Sequence, residues 1–165
     1  MATKASFTAD EWTLIRIVPS LVASGVCASD PSGIFGAIKE SAAGAMEMVE
    51  ALKEGANMEL LNAMKEDRSF PSMPDAKSLT GEGTREQQMA NLKNSVLSKI
   101  TEAVNLVSQK ASPEETNAYK KMLLDIAERA ANASKEGGFL GFGGVRVSTA
   151  EQTYINEVKS ALQLA

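Results

Sequence analysis

The chain has 165 residues, enough for one domain with its own core and too few for two comfortable ones. Apolar residues make up 44 % but aromatics only 5 %, which excludes a typical β-sandwich and points to aliphatic helix-on-helix packing. The formal charge is −4, with ten basic against nine acidic residues in 83–165 and an acidic excess in 1–82, so neither half has the positive surplus that nucleic-acid binding requires.

The helices are marked by their caps. Thr8 with Glu11 makes a capping box, and Phe7 and Trp12 flank it where a hydrophobic staple belongs. The first helix then runs to about Ala28 with apolar residues on more than one face, Leu14, Ile17 and Leu21 among them. Pro19 inside it predicts a kink. Such a helix is either central or part of an oligomer interface, and Leu14, Ile17 and Leu21 are the candidate self-association residues. Asp30-Pro31 opens a second long helix over 31–54, ended by Gly55. Asn57 is expected to cap a short third helix through about Asp67, with Leu60, Leu61 and Met64 facing in.

Residues 68–84 contain two prolines and two glycines and read as an irregular crossover, with Phe70 and Met73 pinned against the bundle. Thr84 with Gln87 caps a long helix to about Lys110. Ser112-Pro113-Glu114-Glu115 starts the next almost at once, predicting two adjacent antiparallel helices. The fifth buries Tyr119, Met122, Leu123, Ile126 and Ala130 and stops near Gly137. Ser148 with Glu151 caps a last short helix. The expectation is a single all-α domain over 1–165, a helical bundle of four long and two short helices. An offset of 82 residues aligns Pro31 with Pro113 and Lys53-Glu54-Gly55 with Lys135-Glu136-Gly137, hinting at pseudo-repeated halves 1–82 and 83–165.

Histidine is absent, which excludes Ser-His-Asp triads, Cys-His nucleophile pairs and Glu-x-x-His di-iron sites. A single cysteine, Cys27, excludes an intrachain disulfide and ordinary structural zinc, and it reads as a buried thiol. The carboxylate pairs Asp10/Glu11, Glu47/Glu50 and Glu114/Glu115 read as helix-end charges or solvated faces. A carboxylate-dependent enzyme with a bound metal is therefore the least favoured function, and no cofactor is expected. No apolar leader stands at the N-terminus. The stretch from Leu14 to Ala28, broken by Arg16 and Pro19, reads as too short to span a bilayer, so a soluble cytoplasmic chain is expected.

The unusual segment is Gly137, Gly138, Phe139, Leu140, Gly141, Phe142, Gly143, Gly144, Val145, Arg146. Its glycines permit converging amides, and Arg146 precedes a helix N-terminus, so it has the ingredients of an anion cradle. It matches no phosphate-loop pattern, and the plainer reading is a tight connection whose Phe139 and Phe142 plug the bundle. Residues 112–148 resemble a tail that recurs in small bacterial helical proteins. The resemblance implies a bacterial origin and an all-helical fold, and it carries no activity with it.

The reading is a non-enzymatic binding or assembly module that uses apolar helix faces, its partner another protein or a second copy of itself. The rival is a protein for a small anionic ligand held by Gly137 to Arg146. If the phenylalanines plug the bundle, Phe139→Ala or Phe142→Ala lowers stability by on the order of 3 kcal/mol in urea unfolding, and Arg146→Ala is silent. Protection by phosphate or sulfate that disappears in Arg146→Ala would instead establish the anion site.

Overall fold

In the computed structural model, which describes residues 1–29, 57–69, 71–133 and 147–164, the apolar run after Thr8 forms helix α1, Ala9–Ser29. Its first turn is held as the sequence implies. The Thr8 amide donates to Glu11 Oε2 at 2.7 Å, the Glu11 amide donates to Thr8 Oγ1 at 3.3 Å, and the rings of Phe7 and Trp12 lie 5.8 Å apart. Five more helices follow among the described residues: α2 (Glu59–Glu66), α3 (Ala76–Thr80), α4 (Arg85–Lys110), α5 (Pro113–Ala133) and α6 (Thr149–Ala161). The fold is an all-α bundle. Helix α1 packs against α4, α5 and α6, and both α4 and α5 pack more extensively on α1 than on each other.

The central position of α1 explains its surplus of apolar faces. Ile15, Val18, Val22 and Val26 are fully buried, while Leu14, Ile17 and Leu21 are 9 %, 5 % and 1 % exposed. Small polar residues on the same helix are buried too, and they satisfy themselves locally: the Ser24 hydroxyl donates to the Ser20 carbonyl at 3.0 Å, and Ser29 donates to the Val26 carbonyl at 2.6 Å. Where α6 crosses α1, a Cβ added to Gly25 would stand 2.2 Å from the Tyr154 hydroxyl, so only glycine permits the approach.

Pro19 sets the decisive requirement. It has no amide hydrogen to give the Ile15 carbonyl four residues earlier, yet α1 continues through it to Ser29. Tyr119 of α5 supplies the missing donor, its hydroxyl 2.8 Å from the Ile15 oxygen and its side chain fully buried. Burial pushes the Tyr119 phenol pKa well up, so the group keeps the proton it donates.

Several expectations are corrected. Helix α1, Ala9–Ser29, is longer than the run Leu14 to Ala28 read from the sequence, and with 21 residues it has the length and hydropathy of a membrane-crossing helix. Here most of that run is buried within the chain. Met58, not Asn57, stands at the N-cap of α2, and it has no side-chain oxygen to offer. Residues 76–80 of the supposed irregular crossover are helical, and Met73 is 41 % exposed rather than pinned. Cys27 is half-buried rather than buried. The expected helix over 31–54, and with it the comparison of halves, lies outside the described residues, as does Phe70.

Replacing Tyr119 with Phe strands a buried carbonyl and should cost about 1–3 kcal/mol in urea unfolding. In a Pro19→Ala background the alanine amide serves Ile15 instead, so the same replacement should cost clearly less. Equal costs in the two backgrounds would contradict the role given to Tyr119.

Candidate functional site

Of the candidate residues read from the sequence, Gly137, Gly138, Phe139, Gly141, Phe142, Gly143, Gly144 and Arg146 lie outside the described residues. The helix that follows them is described. At the start of α6 the Ser148 amide donates to Glu151 Oε2 at 2.8 Å, and the Glu151 amide donates to Ser148 Oγ at 3.2 Å. This box places a carboxylate, itself only 3 % exposed, at the helix end where the anion cradle would need a positive field. Leu14, Ile17 and Leu21, the candidate self-association residues, are 9 %, 5 % and 1 % exposed in the single chain, on a helix packed against α4, α5 and α6.

Leu14 and Ile17 line one surface feature, a groove between α1, α3 and α4. They form the back of its floor, and the half-buried Leu79 of α3 and Leu106 of α4 complete it. The rim carries Asp10 and Glu11 from α1 and Lys99 and Glu102 from α4, three carboxylates against one ammonium. Lys99 is already paired with Glu102 at 2.8 Å, and Glu11 with Lys110 at 2.6 Å. Ser95 on α4 donates to the Leu79 carbonyl at 2.9 Å, and Asn91 donates to the Thr80 carbonyl at 2.9 Å, so α3 is stitched to α4 as the groove's wall.

The other polar constellations are structural knots. Asp67, just after α2, accepts from Trp12 Nε1 at 2.8 Å, from Lys4 Nζ at 2.9 Å and from the Ser69 amide at 3.1 Å. The Ser69 hydroxyl, the Lys4 ammonium and the Trp12 indole hold its carboxyl well below the usual range. Arg16, with a side chain 8 % exposed, lies 3.4 Å from the same carboxylate and donates to the backbone carbonyls of Asp67 and Ser69. The sequence reading took Arg16 only as an interruption of an apolar run. An arginine inside such a run was the signal that a partner had to be waiting.

Glu115 is the second knot. It closes a capping box with Ser112, whose amide donates to Oε2 at 3.0 Å, and it also accepts the amides of Leu60 in α2 and of Ala2. Burial would raise its pKa, but the amides of Ser112, Ala2 and Leu60 and the Met1 ammonium outweigh that and leave it lowered. Glu11, paired with Lys110 at 2.6 Å, is lowered as well. The carboxylates Glu11, Glu115 and Glu151 thus close helix ends, and among the described residues no three acidic or thiol groups converge on a point. Glu47 and Glu50 lie outside those residues.

No protein-family model, curated protein or solved structure matches this chain.

Asp67 and Glu115 hold protons less readily in the folded than in the unfolded chain. Their stabilisation is complete above the ordinary carboxylate pKa of about 4 and is lost as pH falls through it toward the folded values. The melting temperature should therefore drop between about pH 5 and pH 2, and Asp67→Asn should flatten part of that slope. A pH-independent melting temperature across this window would contradict the two knots.

Proposed function

We propose that this protein is a non-enzymatic helical binding module whose α1–α3–α4 groove takes a basic amphipathic helix from a partner protein. The observation that carries the reading is the groove itself, an apolar floor of Leu14, Ile17, Leu79 and Leu106 beneath a rim of three carboxylates and one lysine. An apolar helix face buries against leucine and isoleucine in such a groove, and a lysine flanking that face meets Asp10, beside Glu11 and Glu102 that Lys110 and Lys99 already pair. Leu79 and Leu106 are half-buried, with apolar surface left for a partner to cover. Support also comes from Glu115 and Glu151, away from the groove, which are engaged with backbone amides at helix starts, a structural use rather than acid–base chemistry.

The test uses a fluorescein-labelled Leu/Lys amphipathic peptide as the probe, with binding read by anisotropy. The wild-type chain should bind it saturably, and Leu106→Glu should weaken binding about tenfold or more, 1.4 kcal/mol, at unchanged melting temperature. An acidic chain attracts any basic peptide, so the Leu106 variant is the decisive arm. Binding that is equal in the two proteins would dismiss the groove.

A further inference from the structure

The groove has a firmly packed side and a lightly held one. Helices α1 and α4, packed on each other, make the first, and the segment 71–80 makes the second. That segment is anchored at both ends. Before it, Arg16 Nη1 donates to the Ser69 hydroxyl at 3.0 Å. At its end, Ser95 and Asn91 of α4 donate to the carbonyls of Leu79 and Thr80, and Thr80 is buried. Between these anchors Ser72, Met73 and the residues from Asp75 to Ser78 are exposed. The polar bonds of Lys77 and Ser78 stay local, to Glu82 and to the Asp75 carbonyl. Gly81 closes α3 with φ +66°, a conformation that costs glycine little, and gives the segment a pivot next to its anchor. Pro71 and Pro74 stiffen the span, which lowers the entropy lost when it is ordered against a partner.

Met73 gives this span a use. Its side chain is 41 % exposed and stands outside the groove, while Pro74, the next residue, lines it. A methionine is unbranched and polarisable, and it fits itself to irregular apolar surfaces. We propose that residues 71–78 form a strap that closes over the partner helix in the groove, and that Met73 is the binding residue it brings down. The inference rests on the groove being the binding site and adds a contact to it. Leu14, Ile17, Leu79 and Leu106 receive one side of the partner's apolar face, and Met73 covers the flank they leave open. The anchors at Ser69 and at Leu79 and Thr80 hold the strap in place without fixing its middle.

The experiment uses the full chain and the same Leu/Lys peptide, which contains no methionine. Oxidation of Met73 by dilute hydrogen peroxide is followed by mass spectrometry, with and without peptide at a concentration that saturates only the wild-type chain. Bound peptide should slow sulfoxide formation at Met73 severalfold, and the Leu106→Glu chain should show no such protection. Met73→Ser should weaken binding about fivefold and Met73→Leu should preserve it, both at the wild-type melting temperature. Leu106-dependent binding that leaves Met73 oxidation unchanged, or that is equally tight in Met73→Ser, would overturn the strap and leave the groove standing. Binding that does not depend on Leu106 would overturn the groove and the strap together.

Discussion

Proline 19 leaves the Ile15 carbonyl without its helical partner in a helix whose interior face water does not reach, and everything around α1 is arranged to live with that. Tyr119 brings a hydroxyl from α5 to the orphaned oxygen, which fixes both the depth and the rotation of α5 against α1. The phenol is the largest fully buried side chain at that contact, so one residue fills volume and satisfies a polar group together. Gly25 makes the corresponding concession on the α6 side, where the Tyr154 hydroxyl occupies the space a side chain would need. The two tyrosines thus define how α1 is enclosed, one by supplying a donor and the other by shape.

Carboxylates hold the ends of this arrangement. The boxes at Thr8, Ser112 and Ser148 use a glutamate to return a hydrogen bond to the cap residue, that at Thr84 uses Gln87, and Glu115 extends the device by reaching the amides of Leu60 and Ala2 as well. Helix α2 has Met58 at its N-cap position, which cannot cap, and borrows its cap from α5. Lys110, in the last turn of α4, pairs with Glu11 and lies 5.6 Å from the centre of the Phe7 ring, tying the C-terminus of one helix to the N-terminus of another.

Much of this was legible from local signals. The boxes at Thr8, Thr84 and Ser148 follow from residue types at fixed spacing, and so do the buried stripes of α4 and α5. What escaped were long-range pairings. Nothing near Met58 announces that Glu115 caps its helix, and nothing near Pro19 announces Tyr119, a hundred residues away. The surplus apolar faces of α1 read from the sequence as either central or interfacial, and the helices packed around α1 leave Leu14, Ile17 and Leu21 buried in the single chain. The groove was invisible for the same reason: its floor joins Leu14 and Ile17 to Leu79 and Leu106, and a helix over 76–80 was not expected.

Leu14 and Ile17 line the groove and belong to the core at once, so the groove is backed by the helix on which the other long helices pack. The account therefore stands on α1 being the stable centre of the chain. Native-state hydrogen exchange measures this most directly. The α1 amides around Ile15, Val18 and Val22 should be among the slowest in the protein, exchanging only through global unfolding. If they exchange well before the amides of α4 and α5, α1 is a detachable helix, and the account of the fold built around it is wrong.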